Sequence, residues 1–311
     1  MNEQELERLL SVYRCRVPMP DFRAVPGAPA DSRRHVQRFQ AAPPLSRRWW
    51  LAVAAVFAAI AFLISTRIPR ANEWRAGLRV LRVGDVVRTG GDRVTLHSPE
   101  IGIVDVAENT TLRVLETHDR QHRLELTSGT IHARTISAPG AFAVEMPRAV
   151  AIDLGCEYTL TVAPGGGGIL RVSAGWVELA RDWGESLVPQ GAEAIVSESG
   201  ELSAPYFDDA APELKQAARR LSFGGGDRAH DLDTIIRLAR VRDSLTLINL
   251  FSRTSPDERL LVFDRLNQLV PAPMPITRED VRWWSPGTTD KWWAPVLKAS
   301  GVGPLKKKRP L

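Results

Sequence analysis

The chain has 311 residues, 44% of them hydrophobic, and a formal net charge of +5. That is length for about two domains and apolar content for an ordinary packed core. The positive charge collects in residues 1–48 and in the run Lys306, Lys307, Lys308 and Arg309, leaving no basic stripe of the kind a folded nucleic-acid-binding domain carries. Two cysteines, Cys15 and Cys156, are too few for a disulfide framework or a Cys-rich zinc site.

Residues 2–16 read as a short amphipathic helix that Asn2 can cap. Leu6, Leu9, Leu10 and Tyr13 fall at i, i+3, i+4 and i+7, an apolar face suited to a partner helix. Residues 17–45 are rich in Pro, Ala, Arg and Ser and read as a linker, so 1–48 form one tail. Trp49 to Thr66, WWLAVAAVFAAIAFLIST, carries no charge and is bounded by Arg47, Arg48, Arg67 and Arg70. As a helix it is ~27 Å long against a hydrocarbon core of ~30 Å, which predicts a transmembrane helix over 49–66 in contact with the bilayer. The lead before it is too long for a signal peptide. Arginines are equally frequent on its two flanks, so charge does not orient it.

From about 75 to 200 apolar and polar residues alternate in short runs. Leu112 and Val114, Leu124 and Leu126, Phe142, Val144 and Met146, and Tyr158, Leu160 and Val162 are examples. Period two over runs separated by Gly, Asn, Ser or Pro predicts ten or more half-buried strands, with Pro164 to Gly168 as a hairpin loop. Gly155, between two apolar runs, reads as a bulge or bend where a Cβ would strike a neighbouring strand. From 205 to 300 the period becomes helical, as in Leu232, Ile235, Ile236 and Ala239. Ser255-Pro256-Asp257-Glu258 and Thr277-Arg278-Glu279-Asp280 are helix starts of the capping-box kind, and Trp292 and Trp293 are expected to pack this part. Residues 301–311 form a basic tail. The expected architecture is one transmembrane helix, a mainly β antiparallel sandwich or roll, and a small α-helical C-terminal domain.

Catalytic signatures are absent: no G-x-S-x-G, no H-E-x-x-H and no phosphate loop ending in Gly-Lys occurs. His118 and His122 fall in a polar connection read as a solvated hairpin tip, and His132 points outward with no evident partner. Cys156 reads as a small buried apolar residue. No catalytic residue, no metal ligand and no cofactor site is expected, and the chain is not read as an enzyme.

Gly84-Asp85-Val86-Val87-Arg88-Thr89-Gly90, Leu124 to Gly129, Phe142-Ala143-Val144, Ile152 to Gly155, Val172 to Val177 and Gln190-Gly191-Ala192-Glu193 follow one another in the order of a known pattern. The β region resembles the FecR domain family, bacterial envelope proteins with one membrane helix ahead of an extracytoplasmic β domain. Gly84, Gly129, Gly155, Gly175 and Gly191 are then turn glycines that need a positive φ. The resemblance implies an inner-membrane protein with a cytoplasmic N-terminus, its bulk outside, and a role in envelope signalling or scaffolding. It also implies a protein partner, a sigma factor in the family's signalling members or else an envelope protein. An alternative is a tethered module that binds envelope glycan or another polymer. The chain departs from the family at Cys156, where Thr is usual, and at Ala174, where an acid is usual. Its tail offers one short helix in place of the family's cytoplasmic helical module.

Overall fold

The computed structural model describes residues 73–118, 121–181 and 184–303. The helix expected over 2–16 with Leu6, Leu9, Leu10 and Tyr13, the linker, the transmembrane segment 49–66 and the Lys/Arg run all lie outside these residues. Among the described residues no helix is long and apolar enough to cross a membrane.

Fifteen strands occupy the first part of the described chain. They begin with β1 (Trp74–Ala76), β2 (Arg79–Leu81), β3 (Val86–Arg88), β4 (Val94–Ser98) and β5 (Gly102–Val106). The middle ones are β6 (Thr111–His118), β7 (Gln121–Thr135), β8 (Phe142–Met146), β9 (Ala149–Asp153) and β10 (Glu157–Val162). The last are β11 (Gly168–Ala174), β12 (Trp176–Arg181), β13 (Gly184–Pro189), β14 (Ala192–Val196) and β15 (Tyr206–Phe207). The alternating residues do what their spacing predicts: Leu112, Val114, Leu124, Leu126, Val144, Tyr158, Leu160 and Leu170 are buried in one core. Each such aliphatic side chain stabilises the fold by ~1.5–3 kcal/mol relative to exposure.

β7 organises this part. Its first half pairs with β6 on one side and β8 on the other, and its second half with β5 and β10. Leu124 and Leu126 are buried before the changeover, Ile131 and Ala133 after it, so the inward phase shifts by one residue between them. Gly129 sits at that shift with φ +100, where any Cβ would run into Thr110. A glycine is therefore required for the strand to pass from one sheet region to the next. The pairing is antiparallel except between β7 and β8, which run parallel.

All five sequence-predicted turn glycines, Gly84, Gly129, Gly155, Gly175 and Gly191, have positive φ, between +72 and +100. The collision expected at Gly155 is not there: a Cβ at that position meets no atom within 4 Å. The crowding lies opposite, at Gly175, whose Cβ would strike the Gly155 carbonyl oxygen. The bulge also falls slightly later than expected, in the β10–β11 ladder between Glu157 and Tyr158.

Six helices follow: α1 (Pro212–Phe223), α2 (Arg228–Leu238), α3 (Ser244–Leu250), α4 (Pro256–Leu269), α5 (Arg278–Arg282) and α6 (Asp290–Ala299). A single 3-10 turn, Phe251–Arg253, links α3 to α4. Both expected capping boxes form. Ser255 N–H donates to Glu258 at 2.8 Å and Thr277 N–H to Asp280 at 2.8 Å, while each hydroxyl accepts from the backbone three residues on. A second core gathers Leu214, Leu232, Ile235, Phe251, Phe263 and Leu266. Trp292 is fully buried there, 5.4 Å from the Phe263 ring, and its indole N–H donates to the Val270 carbonyl at 3.0 Å.

Candidate functional site

The strands and helices meet at a buried carboxylate. Glu193 on β14 lies beside Tyr206 of β15 because those two residues are ladder partners. The Tyr206 hydroxyl donates to Glu193 Oε1 at 2.6 Å, and Arg219 of α1 donates to the same oxygen at 2.7 Å and to the Tyr206 oxygen at 2.6 Å. Arg171 of β11 donates to Glu193 Oε2 at 2.8 Å. Burial alone pushes the Glu193 carboxyl up, but the donors from Tyr206, Arg219 and Arg171 outweigh it and hold the group below the usual carboxylate range. Burial and the facing carboxylate push the Tyr206 phenol up, so it stays a donor. Next to this node Gly191, at φ +76, turns the chain, and Arg242 lies over the Phe207 ring at 4.2 Å from its centroid.

A cleft of about 710 Å³ opens between the strands and the helices, lined among others by Arg181, Glu185, Asn249, Arg253, Trp284 and Trp293. Arg253 spans its floor. Its guanidinium donates to the carbonyls of Leu202 at 3.2 Å and Asn249 at 2.7 Å and to the Ser186 hydroxyl at 2.7 Å. Among the described residues no carboxylate stands within ion-pair distance of it, and burial pushes the guanidinium down to about 10. The Ser186 hydroxyl donates in turn to the Ser203 carbonyl at 2.8 Å, so it serves the clamp rather than a base. The cleft offers carboxylates, amide and guanidinium donors and indole rings, an inventory suited to holding a polar organic group.

A third polar cluster lies in the β core. Asp153, fully buried, accepts from the Ser137 hydroxyl at 3.1 Å and from the Cys156 thiol. Burial pushes both the Asp153 carboxyl and the Cys156 thiol up, the thiol further by its proximity to Asp153. Such a thiol stays protonated and is a hydrogen-bond donor, not a nucleophile. Cys156 is therefore buried as expected but polar in its role. Its backbone N–H also donates to the Thr135 hydroxyl at 3.0 Å.

The histidine reading is corrected. His122 is not at a solvated tip: it is 1% exposed, edge-on to Trp74 with ring centroids 5.9 Å apart, and within 3.3 Å of both Glu100 and Thr117 side-chain oxygens. It begins the inward alternation that Leu124 and Leu126 continue, so the polar neighbours at 118–121 concealed a core position. His118 is on the surface and meets Glu116 at 2.6 Å. His132 does have partners, Thr159 at 3.1 Å and Glu157 at 3.0 Å across the β7–β10 ladder. Among the described residues no group of three or more His, Cys, Asp or Glu side chains is placed to hold a metal ion.

Residues 85–178 match the family model described as FecR protein. The chain carries a FecR domain. The match opens one residue after Gly84 and closes within β12, so Gly129, Gly155 and Gly175 belong to the FecR domain while Gly191 and the Glu193 node lie beyond it. No curated protein matches the chain at a significant level. Among solved structures, two crystal structures of a candidate anti-sigma factor from Parabacteroides distasonis ATCC 8503 are similar. The first is 18% identical over 49% of this chain and 75% of that one, with a TM-score of 0.36. The second is 19% identical over 49% and 74%, with a TM-score of 0.35.

Sequence reasoning missed the node and the clamp. Glu193 was visible only as the end of a turn motif, and Tyr206, Arg219 and Arg253 carry no local pattern. Each finds its partner through the tertiary fold.

Proposed function

We propose that this is a single-pass, membrane-tethered regulatory protein, with an extracytoplasmic FecR domain and a cytoplasmic tail, residues 1–48, offered to a protein partner. The FecR match over 85–178 carries the reading, because it follows an uncharged run, Trp49 to Thr66, of membrane-spanning length. The apolar face of Leu6, Leu9, Leu10 and Tyr13 suits a helix-in-groove partner, of which a sigma factor is one kind. The protein acts by binding. The Glu193 node and the Arg253 clamp join strands to helices, so a contact made on either is felt by both.

The test is affinity capture from detergent-solubilised membranes. Full-length chain should retain a cytoplasmic protein that Leu9→Glu with Leu10→Glu releases while the protein stays in the membrane. If both forms capture the same proteins, the tail is not the partner site.

A further inference from the structure

The hairpin β1–β2 precedes the FecR match, and the fold leaves aliphatic side chains bare at its tip, along β2 and in the turn that follows β2. Leu78 is 102% exposed, Val83 61% and Val80 38%. Isolated exposed aliphatics are ordinary on protein surfaces, but three within six positions form a patch. Arginines stand between and beside them: Arg79 and Arg82 are exposed, and Arg75 is the ladder partner of Val80. Arg79 makes only a loose pair with Asp85 at 3.8 Å, and Arg82 has no ion-pair partner among the described residues. Beneath them Trp74 and Leu81 are buried, which fixes the hairpin to the core and aims Val80 and Arg75 away from it.

From these residues we infer that the outer side of the β1–β2 hairpin docks on the lipid bilayer, Leu78, Val80 and Val83 entering the interface and Arg79 and Arg82 meeting anionic headgroups. The inference rests on the membrane tether proposed above. Two observations select this occupant. Glu73, the first described residue, follows Thr66 by seven positions, a stretch that spans ~25 Å at most, so little chain separates the hairpin from the apolar run. The composition, aliphatic residues among arginines, is that of a segment lying in an anionic interface. A second copy added at the β2 edge is less well served. That strand has three residues, and Leu78 and Val83 lie in turns outside its ladder.

The full chain, reconstituted in phosphatidylethanolamine–phosphatidylglycerol vesicles, tests this. In a Cys15→Ser background the buried Cys156 does not react, and an environment-sensitive dye is placed at Leu78→Cys or, as a control, at Met274→Cys, a position 90% exposed. The dye at position 78 should be quenched by spin-labelled lipid and several-fold less by aqueous iodide than the dye at 274. Full iodide quenching at 78, in a protein that resists carbonate extraction, overturns the docking and leaves the tether standing. Extraction by carbonate overturns the tether and the docking together. Protection from both quenchers that grows with protein density makes a second copy the occupant and also overturns the assignment.

Discussion

The strand-built and helix-built parts of this chain are held by different devices. In the strands the decisive positions are backbone ones. Gly129 and Gly175 allow two segments to approach within the reach of a single Cβ, and the side chains then fill one core. In the helices the decisive positions are long side chains that finish what helix ends leave undone. Arg228 donates to the Leu221 carbonyl at 3.1 Å, Arg265 to Ala239 at 2.6 Å, and Arg259 to Arg282 at 3.1 Å. Each of these carbonyls lies in the last turn or at the cap of a helix, where no intrahelical donor remains. The strand part should therefore fail sharply at a few glycines, whereas the helical part spreads its risk over many exchangeable contacts.

The largest effect is expected where that contrast is strongest, between two facing glycines. Gly175→Ala both strains a backbone at φ +72 and drives its methyl into the Gly155 carbonyl. Strain of ~1–3 kcal/mol and overpacking of ~1–3 kcal/mol together predict a loss of about 2–6 kcal/mol. Gly155→Ala meets open space and carries the strain alone, about 1–2 kcal/mol. Denaturant unfolding of both variants reads the difference. Equal losses would show that conformation rather than close approach governs this turn.

The next effect sits where the two parts join. Glu193→Ala leaves the Tyr206 hydroxyl and one side of Arg171 and Arg219 without their acceptor. Because both arginines are about half exposed, water replaces part of what is lost, and about 2–3 kcal/mol is expected rather than the cost of a sealed pair. Glu193→Gln should recover some of it. The Glu193 carboxyl is held below its ordinary 4.5, so its stabilisation is complete above that pH and disappears as pH falls through the folded value. A wild-type acid limb that persists unchanged in Glu193→Gln would place the sensitivity elsewhere.

How much of this was legible in the sequence follows the same division. Strand existence was readable from period two, and helix starts from Ser255 and Thr277, because both signals are local. Turn glycines were readable as turns, but which of them is crowded was not: Gly175 is crowded by Gly155, whose position depends on a bulge in the β10–β11 ladder. Glu193 and Tyr206 are 13 positions apart and Ser186 and Arg253 are 67 apart, and nothing in the composition around them marks these pairings. The resemblance to the FecR family located the β domain and touched the junction only through the turn Gln190 to Glu193, while the family match itself ends at residue 178.

His122 provides the smallest and most diagnostic effect, a slope rather than an offset. Burial holds its imidazole below the ordinary 6.5, against the opposing pull of Glu100, and the His118 charge acts in the same direction as burial. The unfolded chain therefore binds a proton near pH 6.5 that the folded chain refuses until lower pH. Stability from this residue is whole above about 6.5 and declines as pH falls from there toward the folded value, below which the decline stops. In His122→Phe the ring can still pack against Trp74 and Phe142 but cannot titrate, so unfolding free energies measured from pH 7.5 down to pH 5.5 should lose that slope. His118→Gln, at an exposed position, should keep most of it. The opposite pattern, a slope kept in His122→Phe and lost in His118→Gln, would mean that the surface histidine carries the dependence and that the buried one takes up its proton as readily folded as unfolded.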